Sequence, residues 1–423
     1  MYHKTTEDLL AFLDASPTCF HAIRNMADRL TEAGFTELSE NRKWSVEPGG
    51  SYFVTRNSSA LIAFTIPACS VKGFRIMASH SDSPTFKIKE NPEISTSDHY
   101  IRLNTERYGG MIYSSWLDRP LSAAGRIIVK NADGSLAEKL VNIEKDLLMI
   151  PNLAIHMNRQ VNEGYQYNPQ KDLLPIYSDI NGKGTFMKTI ADAAGVEVSD
   201  ILGHDLFLYN RQKGTVWGAS GEYISSGRLD DLQCAFSSLQ GFLQGRKEKY
   251  AAVHCVFDNE EVGSGTRQGA ASTFLKDTLL RICENLNMSR EDYFAAIADS
   301  FLISADNAHA AHPAHADKAD PVNRPYINEG IVIKFSGNQK YCTDGMSAAI
   351  FRDLCMRAQV PVQIFTNRSD IAGGSTLGNI STGQIPLNSI DIGLPQLAMH
   401  SAYETAGMKD TLYLIKATAE LFE

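Results

Sequence analysis

The stretch Val253-His254-Cys255-Val256-Phe257-Asp258-Asn259-Glu260-Glu261-Val262-Gly263-Ser264-Gly265 constrains the fold more than any other. Its β-branched and aromatic run reads as a buried parallel strand that ends abruptly in an acidic dyad at the rim of a sheet. Successive side chains on a strand point to opposite faces, so Glu260 and Glu261 can serve different ends only if the backbone turns there. Gly263 and Gly265 permit such a turn. One carboxylate could then bind a metal ion while the other moves protons. A solvated acidic turn is the plainer alternative, and for this stretch taken alone it is the commoner outcome.

Composition narrows the field. A chain of 423 residues exceeds one ordinary core and predicts two domains. With 43% hydrophobic and 21% charged residues it has the balance of a soluble globular protein. The net charge of -9 argues against nucleic-acid and anionic-membrane partners, which need a basic face. No apolar run approaches the ~20 residues that span a bilayer. The first residues hold no apolar signal core; Thr6 instead caps an amphipathic helix beginning Glu7-Asp8-Leu9-Leu10. Seven scattered cysteines without a Cys-x-x-Cys pair predict a reducing, cytoplasmic setting.

Along the chain, helical spacing runs over residues 6–34, and paired strands are predicted at 51–55 and 60–66 around the turn Asn57-Ser58-Ser59. A further strand, 74–78, ends in Ser79-His80-Ser81-Asp82-Ser83-Pro84. Short alternating runs and the hairpin signal Asn131-Ala132-Asp133-Gly134-Ser135 then predict a β-rich domain, residues 95–223, inserted between two parts of an α/β domain, 1–94 and 224–423. Arg228-Leu229-Asp230-Asp231 opens a helix. Residues 270–287 read as a helix, 295–306 as a strand ending in Asp306, and 330–335 as an apolar strand carrying Lys334. A helix at 347–358, a strand at 360–366, the Gly-rich run 372–378 and a final helix at 410–422 follow, with His400 after a short apolar run.

These polar residues share a location. His80, Glu260, Glu261 and Asp306 each follow a predicted strand, and in open α/β sheets the carboxyl ends of the strands form the site-bearing edge. Histidines and carboxylates gathered there suit a metal ion with nitrogen and oxygen ligands. His80 and Asp82 also fit a histidine ligand whose ring is fixed by a neighbouring acceptor. Asp230, Glu261, Asp306 and a bridging hydroxide would bring four negative charges, which two Zn²⁺ ions balance; one ion would leave a costly buried excess. A turn histidine, a dipole-matched helix start and unrelated surface acids are the plainer accounts of the same residues.

At these residues the sequence resembles the aspartyl aminopeptidase family of dinuclear zinc aminopeptidases. The matching segments include Ser79-His80-Ser81-Asp82-Ser83-Pro84-Thr85, Trp116-Leu117-Asp118-Arg119-Pro120, Leu153-Ala154-Ile155-His156, Arg228-Leu229-Asp230-Asp231, Asp258-Asn259-Glu260-Glu261-Val262-Gly263, Ser304-Ala305-Asp306 with His309, and Leu397-Ala398-Met399-His400. The resemblance implies a mixed-sheet, three-layer α/β/α catalytic domain with an inserted β-rich dimerisation domain. It implies one metal on His80, Asp230 and Asp306 and another on Asp230, Glu261 and His400, with Glu260 as general base and Asp82 orienting His80. The two divalent ions would be Zn, with Mn or Co as substitutes. His156 would reach a neighbouring subunit's site, His309 would contact substrate, and Lys334 would meet an acidic side chain, giving a preference for N-terminal Asp or Glu. Such chains form homo-oligomers, dimers assembled into a tetrahedral dodecamer. The sequence departs from the family at Asp231, where Asn is common.

Two other readings stay open at the level of sequence. The same metals could serve a broad neutral aminopeptidase or a deacylase of small conjugates. A non-catalytic, shell-forming assembly protein would use the inserted domain without the chemistry.

Overall fold

The structure, a computed structural model, describes residues 2–423. Among the described residues the chain forms two compact units. The first comprises residues 2–82, 214–399 and 404–423, and the second residues 83–213 and 400–403.

The first unit is built on a nine-stranded mixed sheet. Its strand order is Thr36–Leu38, Ser51–Arg56, Ala60–Thr65, Ala251–Phe257, Phe74–His80, Phe301–Ala305, Asn388–Gly393, Ile331–Phe335, Val362–Thr366. The four strands from Ala251–Phe257 to Asn388–Gly393 are mutually parallel, and antiparallel neighbours flank them. These central strands read as continuous apolar runs because both faces are covered. Leu61, Ala63, Met77, Ala252 and Val256 face one core, shared with helices Tyr2–Asp14, Cys19–Glu32, Leu229–Gln244, Gly345–Arg357 and Asp410–Leu421. Ile62, Phe64, Ile76, Ala78, Val253, Cys255 and Phe257 alternate with them onto the opposite core, shared with Phe274–Asn285 and Arg290–Ala298. The result is the three-layer α/β/α arrangement. A smaller five-stranded sheet, running from Thr215–Trp217 through Tyr223–Ser226, Glu404–Gly407 and Pro395–Leu397 to Ala308–His309, completes this unit.

The second unit contains the expected β-rich insertion, a six-stranded antiparallel sheet over its own core of Phe86, Leu103, Trp116, Ile127, Leu206 and neighbours. The hairpin signal is a real turn: Asn131 N–H donates to Ser135 O at 2.8 Å between strands Leu121–Lys130 and Leu136–Asn142.

Three local expectations are corrected. Thr6 does not cap the first helix, which begins at Tyr2 and holds Thr6 in its interior with its Oγ1 donating to Met408 O at 3.4 Å. The strand ending at Asp306 begins only at Phe301, because residues 290–298 form a helix whose start is held by a Ser289–Asp292 capping box. The Asp230 segment is not regular helix: Asp230 (φ -83°, ψ 109°) and Asp231 (φ -117°, ψ 17°) are non-helical, and the peptide bond joining them is cis.

Candidate metal centre

The parallel register sets the site. Phe257 lies opposite His80, and Ser304 opposite Ala78, so adjacent strands end together and deliver His80, the Glu260–Glu261 dyad and Asp306 to one rim. Asp306 leaves its strand with its N–H donating to Ile392 O at 3.1 Å. Gly393 admits this path, since a Cβ there would fall 2.1 Å from Asp306 O.

His80, Asp230, Asp231 and Asp306, all buried, each offer a ligand atom within 4.8 Å of the others, and His80, Glu260 and Glu261 form an overlapping group. His80 Nε2 lies 3.6 Å from Asp230 Oδ1 and 4.0 Å from Asp306 Oδ1. Its Nδ1 is 3.1 Å from the Asp82 carbonyl, which acts as acceptor, so Nε2 is the nitrogen left facing the carboxylates and available to a metal ion. Asp231 serves the backbone as well, its Oδ2 accepting the His80 N–H at 3.2 Å.

The dyad is turned as the sequence requires, by somewhat different residues. Asn259 (φ 64°), Gly263 (φ 99°) and Ser264 (φ 59°) take the left-handed region, and Glu260–Val262 forms a single 3₁₀ turn. Gly265 has no such role. Asn259 is held in place by Thr266 Oγ1 and Gln268 Nε2, at 2.7 and 2.8 Å from its Oδ1. Beneath the turn, Asp82 Oδ1 accepts the Glu260 N–H at 3.1 Å and Oδ2 accepts the Glu261 N–H at 3.2 Å. Each oxygen of one carboxylate therefore fixes one residue of the dyad.

Electrostatics identify what the cluster needs. Burial, with Asp306 and Asp230 nearby, pushes the Asp231 carboxyl well above the usual range despite His80. Burial likewise raises Asp306, against the pull of Lys334, and raises Glu260 to about 8, with Asp306, Glu261 and Asp82 adding to the effect. Burial opposes charge on His80, but Asp231, Asp230 and Asp82 outweigh it and hold its imidazole well above the usual range. Packed acids that resist ionising together are a site wanting cationic charge. Imidazole nitrogen and carboxylate oxygen in this number suit two divalent ions of borderline hardness, so the donor set fits zinc.

The remaining predicted residues are placed as follows. Lys334 is buried; its Nζ donates to Asn307 O at 2.9 Å and lies 3.8 Å from Asp306 Oδ2. His309 is exposed, its ring centroid 6.1 Å from that of Phe365. His156 is exposed and belongs to the second unit, as does His400, which opens the stretch 400–403. Sequence reasoning missed Glu404, a buried carboxylate whose Oε2 accepts the Asp230 N–H at 3.0 Å, and Asn307 beside Asp306. Neither had a sequence signal beyond being a polar residue in an apolar setting.

Comparison with known proteins agrees with this geometry. A probable M18 family aminopeptidase 2 of Clostridium novyi is 47% identical over 426 residues, covering 99% of this chain and 98% of that protein. A structure of the Ape4–Nbr1 complex superposes with a TM-score of 0.97 at 34% identity, covering 100% of this chain and 86% of that one. The mApe1 dodecamer of S. cerevisiae gives 0.87 at 27% identity, covering 98% and 95%. The family model described as aminopeptidase I zinc metalloprotease (M18) matches residues 12–422, and with a buried two-metal donor set at its strand ends the chain belongs to that family of metallo-aminopeptidases.

Proposed function

We propose that the protein removes single N-terminal residues from peptides, with Glu260 moving the proton. The observation that carries this reading is the Asp82 grip on the dyad, which supports separate duties for Glu260 and Glu261. His80, Asp230 and Asp306 would hold one ion, and Asp230, Glu261 and His400 the other. Two divalent ions bound there would supply a water of lowered pKa and a polarised carbonyl. Glu260, left without a metal in this assignment, takes a proton from the attacking water on its carboxylate and returns it to the leaving amine. Asp82 holds the His80 tautomer through its carbonyl. His309 and, from a neighbouring subunit, His156 would contact substrate. Glu260→Gln should lower kcat by about 10²–10⁴-fold while both ions stay bound. Near-normal turnover with full metal content would remove Glu260 from the role.

On residue preference we infer breadth. The Lys334 ammonium is already engaged by Asn307 O and lies beside Asp306, which argues against its reading a substrate side chain. A preference for N-terminal Asp or Glu, the aspartyl aminopeptidase reading, is favoured by one observation: Lys334 is a cation right beside the cluster. A panel of Leu-, Ala-, Asp- and Glu-starting peptides separates the two. Values of kcat/KM within about tenfold of one another support breadth, and an acidic advantage of about a hundredfold supports the second reading.

The β-rich insertion would serve dimerisation, and the likeness to a dodecameric relative supports a dodecamer of this chain as well. A cytoplasmic setting is supported by seven free cysteines. Among the described residues no helix is long and apolar enough to cross a membrane.

A further inference from the structure

The peptide unit that leads into Asp230 is held at both of its polar ends. Its N–H, from Asp230, donates to Glu404 Oε2 at 3.0 Å. Its carbonyl, from Leu229, accepts from Asn307 Nδ2 at 3.0 Å. The first turn of a helix leaves its N–H groups without an intrahelical acceptor, and Asp230 and Asp231 also depart from helical dihedrals. Orientation at this point therefore falls to side chains from elsewhere in the fold.

Asn307 is well suited to the task. It directly follows Asp306, is 2% exposed, and has its amide committed on both sides. Nδ2 also lies 3.0 Å from Gln396 Oε1 and 3.2 Å from Gln233 Oε1, so three acceptors share its two N–H groups, while Oδ1 accepts from Cys234 Sγ at 3.0 Å. Its backbone carbonyl accepts from Lys334 Nζ at 2.9 Å. Buried amides bonded in this way have one orientation open to them, because any other leaves polar groups unpaired. One residue thus links the Asp306 segment to the peptide that aims Asp230.

We propose that Asn307 is a positioning residue, which through the Leu229 carbonyl sets the spacing of Asp230 and Asp306 and so the retention of the divalent ions. The proposal rests on the dinuclear reading of the cluster. Substituting Asn307 by Leu keeps the volume and removes donor and acceptor; Asn307→Ser is the milder variant should the first not fold. Partners acting behind metal ligands affect affinity by about 10–100-fold, and a loosening of that size is expected for both variants, with at least one ion lost first to a chelator.

The experiment is chelator competition with zinc on the full chain, alongside circular dichroism and melting temperature. Ser300→Ala is the control: Ser300 accepts the Phe74 N–H at 2.8 Å at the far end of the sheet, so it tests loss of a buried hydrogen bond away from the cluster. Loosened zinc in the Asn307 variants with wild-type retention in Ser300→Ala supports the proposal. Wild-type retention in a folded Asn307 variant overturns it, as does equal loosening in the control. Failure of the wild-type chain to bind two ions would be distinguishable from these, since it would overturn the dinuclear reading and the proposal with it.

Discussion

At the scale of single residues, Asp82 has more to do than orient a histidine. Its carbonyl faces His80 Nδ1, and its carboxylate receives the two amides of the dyad. An Asn side chain has one oxygen where Asp has two acceptors, so Asp82→Asn leaves one dyad amide facing an NH₂ group. The carbonyl contact is unaffected. We expect Asp82→Asn to keep its zinc within a few-fold and to lose kcat by about 10–100-fold, read by steady-state kinetics beside metal analysis. A variant that loses metal and rate in proportion would instead place Asp82 with the ligands. His80, Glu261 and Asp306 stood out in the sequence as candidate ligands because each follows a predicted strand. The grip of Asp82 on Glu260 and Glu261 was not, since it depends on the register between strands 74–80 and 251–257. Asn307 and Glu404 were invisible for the same reason: their partners lie far along the chain.

Whole elements were easier to read where one period ran unbroken. The apolar runs at 60–66 and 251–257 gave strands because both faces are covered, whereas the alanine-rich stretch 295–300 looked like strand and is helix end, its hydrophobicity matching either period. Strand Ala251–Phe257 carries a liability of its own. The His254 ring is fully buried against Phe242, at 5.8 Å between centroids, and neither ring nitrogen has a hydrogen-bond partner among the described residues. Burial lowers its pKa to about 3. A depressed folded-state value means that the contribution is whole above pH 6.5 and is lost as the pH falls toward about 3. Metal-free protein should lose on the order of 1.4 kcal/mol per pH unit through this group below about pH 6.5. His254→Phe keeps the packing and removes the titration, so its urea midpoint should fall less steeply between pH 7 and pH 4.5. Parallel slopes for the two proteins would clear His254 of the acid sensitivity. His21, lowered to about 4 by burial and by Arg228, remains in both.

For the molecule as a whole, we expect metal occupancy to stabilise the fold. The buried acids of the cluster repel one another without cations, so chelation should abolish peptidase activity and lower the melting temperature, and Zn²⁺, Mn²⁺ or Co²⁺ should restore both. A ligand at a hundred times its Kd adds about 2.7 kcal/mol to the folded state, enough to be seen in a thermal scan. Unchanged melting after complete metal removal would separate the cluster from stability. The mixed α/β architecture and the β-rich insertion followed from rhythm and turn signals; oligomer size did not, because no periodicity within one chain records how copies pack. The Asp82 grip joins residues 178 positions apart in sequence, and Asp306 comes later still. A chain emerging in order from its N-terminus therefore carries His80 and Asp82 long before Asp230, Glu260, Glu261 and Asp306 exist. The cluster is thus assembled from segments that are made at widely separated times, and its donors cannot meet until the later ones are present.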